Sequence, residues 1–172
     1  MTNDELGSPT HSKTSSPAAP ALIYSVQFWR HKLRYLDRLQ PLALLIARLS
    51  LGAIMTVHGY HKVFGGLQQF AHMVGSMGLP SWLGYVSAFT ELLGGLLLLV
   101  GFFTRPAAFA ICINLCVAIS KVHLHNGLSG SPDHPGFEFP LAAATLAFAL
   151  VFFGAGPISL DHVLRGGGGS SR

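Results

Sequence analysis

An all-α fold is predicted: a polytopic membrane protein in which an N-terminal amphipathic interfacial helix leads into a bundle of four transmembrane helices. Three observations carry this. Half of the 172 residues are hydrophobic and 10% are charged, against roughly 25% charged in an average soluble domain. The mean hydropathy is +0.48. The charge is also clustered, with five of the eleven Lys and Arg residues before residue 39 and almost none in long stretches after residue 40. A soluble domain of this size needs far more charge to cover its surface, so that class is excluded. The net charge of +4 gathers beside predicted membrane entry points rather than along a basic groove. The lipid bilayer, and no nucleic acid, is therefore the expected partner.

Residues 1–21 are rich in Ser, Thr and Pro and read as a disordered N-terminal segment. No cationic stretch there leads promptly into an apolar core, so a cleaved secretory signal is not expected. Over residues 22–40 the texture changes. Leu22, Val26, Trp29, Leu33 and Leu36 recur at helical spacing, edged by Arg30, His31, Lys32, Arg34 and Arg38. This is the pattern of a helix lying on an anionic leaflet.

Four apolar runs follow, about 42–63, 82–103, 107–123 and 139–160. Each is long enough to cross roughly 30 Å of hydrocarbon at about 1.5 Å per residue, the third only barely. Pro41 and Pro106 are placed as first-turn residues. The first connection is long, the second is a tight turn at Thr104–Pro106, and the third is dense in Gly, Asn, Asp and His. Small residues such as Gly52, Gly59, Gly84, Gly94, Gly95 and Gly101 suit close helix packing, within one bundle or in a homo-oligomer. Arg30, Lys32, Arg34, Arg38, Arg105, Arg165 and Arg172 fall on one side of the spans, and Lys62 and Lys121 on the other. The positive-inside rule then puts both termini in the cytoplasm. Residues 165–172 form a flexible glycine-rich tail.

Ionisable groups inside membrane helices are costly unless paired, solvated or functional. Glu91 lies about 13 Å into the second run, near the midplane, where a lone carboxylate is least tolerable. His58 stands at nearly the same height, with Lys62 one turn beyond it. Lys121 and His123 approach from the third run, and Glu138 stands before the fourth. These six residues, His58, Lys62, Glu91, Lys121, His123 and Glu138, are the candidate ligand-binding set. Glu91 has three readings: a structural pair with Lys62 or Arg48, a ligand-binding acid, or a station on a proton path. His123 and His125 read first as interfacial hydrogen-bonding groups. A metal site with Asp133 or His134 is the weaker alternative, and no metal is assigned. Asp161 reads as a cap on a short terminal helix. Cys112 and Cys116 share one helix face and read as packing residues rather than a redox pair. No catalytic signature is present, so the catalytic residues and the enzyme status are unassigned.

Several of these segments are familiar together. Arg48-Leu-Ser-Leu-Gly52, His58-Gly-Tyr-His-Lys62-Val-Phe-Gly65 and Gly78-Leu-Pro80 resemble the opening of the DoxX family of small bacterial inner-membrane proteins. Glu91-Leu-Leu-Gly-Gly95 and Gly101-Phe-Phe-Thr-Arg105 resemble its second helix and turn. His123-Leu-His-Asn-Gly127, Gly136-Phe-Glu-Phe139 and Gly154-Ala-Gly-Pro-Ile-Ser-Leu-Asp161 resemble its ending. The resemblance implies a four-helix membrane domain over residues 41–164, in the bacterial inner membrane, working as a component of a redox system. One branch of the family is associated with thiosulfate:quinone oxidoreductase. It also marks Arg48, Arg105, Asn126 and Asp161 as shared polar positions beside the candidate set.

The expected function is that of a membrane subunit of a redox system, binding a small redox-active or anionic ligand in a polar cavity. Quinone is the candidate cofactor, and an oxidoreductase subunit the candidate partner. A small-solute transporter or permeability factor, and a membrane scaffold for a partner protein, are the alternatives.

Overall fold

The computed structural model describes residues 38–131 and 134–166. The chain divides into two units, Met1–Leu39 and Gln40–Arg172, and every helix below belongs to the second. The expectations for 1–21, for nearly all of the amphipathic segment 22–40 and for the tail beyond residue 166 lie outside the described residues.

The described fold is all-α. Helix α1 spans Gln40–Phe64, with Pro41 in its first turn, where a missing N–H costs nothing. A short helix, α2, spans Leu67–Ser76. Helix α3 spans Trp82–Val100 and ends in a Schellman motif, in which Phe102 N–H bonds Leu97 O and Gly101 N–H bonds Leu98 O. Gly101 takes the left-handed conformation this motif requires, with φ 74°. Helix α4 spans Thr104–Ala118 and continues through a π turn at Ile119–His123 and a 3-10 turn to Asn126. Helix α5 spans Glu138–Phe153, and α6 spans Leu160–Gly166.

Three of these helices are long and apolar enough to cross a membrane: Gln40–Phe64, Trp82–Val100 and Thr104–Asn126. The third is longer than expected, because the helix begins at Thr104 and its irregular end carries it past His123. The fourth is shorter than expected. Helix α5 has 16 residues, or about 24 Å against a hydrocarbon core of about 30 Å. The apolar run continues to Leu160, but the helix stops at Gly154. Both Gly154 and Gly156 have positive φ, and Pro157 cannot donate to a continuing helix.

The most extensive packing is α1 against α3 and α4 against α5. Leu51 and Met55 of α1 meet Leu98 of α3, Ala108, Ile111 and Leu115 of α4, and Ala143, Ala144, Ala147 and Leu150 of α5 in one core. Three alanines on one face of α5 let it lie close to α4, the small-residue packing expected where lipid supplies no hydrophobic drive between helices. The large apolar side chains on the outer faces, among them Leu93, Val100, Phe109 and Phe148, are each more than half exposed. Such a surface is solvated by lipid and not by water.

Arg48, Arg105, Asn126 and Asp161, the further polar positions carried by the resemblance, each hold backbone in the segments that flank the helices. Arg48 turns inward and is buried, donating from Nη1 to Ala155 O at 2.9 Å. Arg105 donates to Phe152 O at 3.1 Å, and Asn126 to Pro135 O at 3.1 Å. Asp161 caps, but not the helix it was expected to cap. Its two oxygens accept Phe103 N–H at 2.9 Å and Thr104 N–H at 3.0 Å, closing the start of α4 where Phe103 has φ 49°. The terminal helix takes its side-chain cap from Ser159, whose Oγ accepts His162 N–H at 3.2 Å.

Candidate functional site

The close approach of α1 and α3 sets the site. Gly59 lies against the backbone of Glu91 and Leu92, and Gly95 against that of Thr56. No side chain separates the two helices there, so Lys62, nearly one turn past Gly59, reaches across to the acid of α3. Lys62 Nζ lies 2.6 Å from Glu91 Oε1. Asn114 of α4 donates from Nδ2 to the same oxygen at 2.9 Å. Glu91 is 4% exposed, and its second oxygen, Oε2, has no hydrogen-bond partner. Three helices thus converge on one carboxylate. Lys62 Nζ also sits 4.6 Å from the centre of the Phe70 ring of α2, a cation–π contact that adds to its hold on this position.

These groups form part of the wall of a cavity of about 550 Å³ between α1, α2, α3 and α4. Met73, Met77, Leu83, Val86, Ile113 and Val117 make most of the rest of the wall apolar, with the hydroxyls of Ser87 and Thr90 among them. Asn114 and Lys121 are seven residues apart on one face of α4, about 10 Å along a helix axis. Polar groups therefore stand at two levels, Glu91 with Asn114 deeper and Lys121 with His123 nearer the helix end. His123 Nδ1 lies 3.0 Å from Pro135 O. A carbonyl only accepts, so Nδ1 carries the proton and the ring is held against the 127–137 loop.

Five of the six candidate residues, His58, Lys62, Glu91, Lys121 and His123, line this cavity. Glu138 does not; it is the exposed first residue of α5, and its N–H bonds Leu128 O at 3.0 Å. His58 stacks on Phe139 of α5 with ring centres 5.6 Å apart. Of the partners considered for Glu91, Lys62 makes the contact, while Arg48 is bound to Ala155 O. Asn114 was missed, and so was α2. An amide alone in an apolar span was the available signal for Asn114. For α2 it was the spacing of Leu67, Phe70, Ala71 and Val74, which places them on one helix face. Cys112 and Cys116 are free thiols, and Cys112 packs against Ala144 O at 3.7 Å. Among the described residues no three His, Cys, Asp or Glu gather into a metal-ligating group.

Chemically, the site offers a carboxylate held by two donors, a second cation, Lys121, nearer the helix end and apolar walls wide enough for a small organic molecule. Comparison with known proteins gives the setting. A family model described as DoxX matches residues 43–124. The chain is 35% identical over 106 residues to "Putative oxidoreductase CatD" of Bacillus subtilis, covering 62% of this chain and 76% of that protein. It is 31% identical over 137 residues to "Inner membrane protein YphA" of Escherichia coli, covering 76% of this chain and 97% of that protein. An uncharacterised protein of Haemophilus influenzae is 30% identical over 128 residues, with 74% and 94% covered. No solved structure matches. The matched region contains all of α3 and nearly all of α1 and of the third long helix, and with relatives covered almost end to end the chain belongs to the DoxX family of membrane proteins.

Proposed function

We propose that this chain is the membrane subunit of a redox system in the bacterial inner membrane, and that the cavity beside Glu91 receives a quinone. The observation that carries this is a carboxylate 4% exposed, tied by Lys62 and Asn114 at the wall of a largely apolar space of about 550 Å³. Buried acids of this kind in membrane helices mark ligand and proton sites. The apolar walls suit a ring and the start of a lipid-soluble tail, and the polar groups suit its oxygens. Lys121 and His123 hold the outer end, and Glu91 holds or accepts a proton at the inner one. A quinone would supply the two-electron chemistry, with electrons arriving from a partner oxidoreductase subunit. The names of the Bacillus and Escherichia relatives support the redox and inner-membrane parts of this reading.

Protein purified in mild detergent from its own membranes is expected to carry quinone in near-equimolar amount, read by solvent extraction and mass spectrometry. Replacement of Glu91 by Gln should lower that yield several-fold. Quinone no richer in the sample than in an unrelated four-helix membrane protein would overturn the reading.

We also place α5 as a fourth crossing, completed by the Gly154–Leu160 stretch, with both termini cytoplasmic and the 127–137 loop outside. The excess of Lys and Arg on the amino-terminal side supports this. A single cysteine introduced at the exposed Ser131, with Cys112 and Cys116 replaced by Ser, should react with an impermeant maleimide added to whole spheroplasts. Labelling only after lysis would reverse the orientation.

A further inference from the structure

We propose that the ligand of the cavity carries a long apolar tail, and that this tail lies in a groove between α3 and α4 that is also the way in from the bilayer. The inference rests on the quinone reading above and adds to it the class of quinone and its route.

A second apolar space, of about 610 Å³, adjoins the cavity beside Glu91, and the two share Val86 and Thr90 of α3 and Ala110 of α4. On α4 the lining of the groove, from Phe103 through Ala107 to Ala110, continues at helical spacing into the lining of the cavity, from Ala110 through Asn114 to Lys121. Groove and cavity are thus successive parts of one helix face. The floor of the groove is small. A carbon added at Gly94 would stand 3.0 Å from the Ile111 side chain, which marks where α3 and α4 touch, and Ala107 is buried beside it. Phe89, Leu93 and Phe103 stand along the edges and stay exposed. None of the described residues lining the groove is charged.

Depth decides what such a groove suits. Thr90 precedes Glu91, the middle residue of α3, and Ala110 stands one turn before Asn114, which holds Glu91 Oε1 at 2.9 Å. The junction therefore opens halfway through the membrane, where Val86 and Ala110 are exposed on the outer face. A tailed quinone dissolved in hydrocarbon can enter there without passing the charged end of the cavity at Lys121. From Val86 to Leu97 the groove follows α3 for about 16 Å, room for the first isoprenoid units of a tail. Continuity with the cavity favours this occupant over a phospholipid chain, whose headgroup stays at the membrane surface and not at the depth of Glu91. Lipid is as apolar as the groove, so the groove selects by shape and packing and not by hydrophobic drive.

A decylubiquinone analogue with a diazirine at the end of its tail tests the route on the purified full chain in detergent. Adducts are expected on Phe89, Leu93 or Phe103, read by peptide mass spectrometry, and excess decylubiquinone should suppress them several-fold. Adducts equally frequent on Phe148 and Phe152 of α5 and insensitive to the competitor would mean ordinary lipid contact and overturn the route. Crosslinking of two copies through the groove would overturn it as well. The second readout is a block at the junction. Ala110 is exposed, so Ala110→Phe fills the junction without entering the core. Decylubiquinone should bind this variant roughly tenfold less tightly, the scale of an overfilled packed space. The tail-less parent, dimethoxymethylbenzoquinone, should bind the variant and the unaltered protein alike. Equal loss for both quinones, or loss for neither, overturns the tail route and leaves the quinone reading standing. Binding of neither quinone by the unaltered protein overturns both.

Discussion

Lys62→Met is expected to cost on the order of 3 kcal/mol of stability, more than any other single change to a polar residue of the site. The two partners of the pair are not equally placed. The side chain of Glu91 is 5% exposed and that of Lys62 is 26% exposed. Removing the lysine leaves a carboxylate near the middle of a membrane helix with Asn114 as its one remaining donor. Removing the acid is milder, because an ammonium on a four-carbon stem can turn toward the Phe70 face or snorkel to the headgroups. Glu91→Gln should therefore cost about 1 kcal/mol. The double variant, Lys62→Met with Glu91→Gln, should recover most of the loss, since the penalty comes from one uncompensated charge and not from the absence of the pair. Thermal unfolding in one detergent at fixed pH gives the ordering: the original chain, then the double variant, then Glu91→Gln, and Lys62→Met lowest. An unchanged midpoint for Lys62→Met would mean that the acid does not depend on this lysine, and the three-helix junction would lose its central contact.

Much of this architecture was readable in advance, and the exceptions have physical causes. The starts of α1 and α3 follow from Pro41 and from the end of the Gly78-Leu-Pro80 break, whereas α3 ends at Val100, three residues before the expected end at 103, because Gly101 turns left-handed. Apolarity alone misplaced the end of α5, because lipid accepts an apolar residue whether or not it is helical, while Gly154 and Gly156 turn the backbone. Depth arithmetic placed His58 level with Glu91, yet the contact falls to Lys62, whose long stem reaches back almost a full turn. The short helix α2 was hidden by glycines at both ends, Gly65, Gly66, Gly75 and Gly78, which read as loop although the residues between them keep a helical period. Glu138 looked like a member of the cluster because it precedes a span. The Phe137 and Glu138 N–H groups bond Gly127 O and Leu128 O instead and hold it at the exposed start of α5. Asp161 has the right chemistry for a cap, but only the folded chain brings it to the start of α4. Contacts that depend on which helices are neighbours cannot be read from spacing along one of them.

Gly59→Ala is expected to destabilise the chain by about 3 kcal/mol, at the upper end of what overpacking usually costs. Helix propensity alone predicts the opposite, since alanine in a helix interior is favoured over glycine by about 1 kcal/mol. A methyl group at residue 59 would overlap the backbone nitrogen of Leu92 and stand 2.6 Å from its Cα. Those atoms belong to the middle of α3 and cannot rotate aside as a side chain would, so the two helices must part. Gly95 faces the same constraint from the other helix, 2.5 Å from Thr56 N, and Gly95→Ala should behave alike. Gly166→Ala is the control: nothing lies within 4 Å of the added carbon, and its effect should stay within about 0.5 kcal/mol. Circular dichroism on heating, in detergent, reads all three. Separation of α1 from α3 also carries Lys62 away from Glu91, so on the quinone proposal retention of quinone should fall in Gly59→Ala even at temperatures where the helices remain folded. A Gly59→Ala protein with an unaltered melting point would show that the helices stand farther apart than the Lys62–Glu91 contact requires, and the cavity wall would then have to be held by α2 and α4 alone.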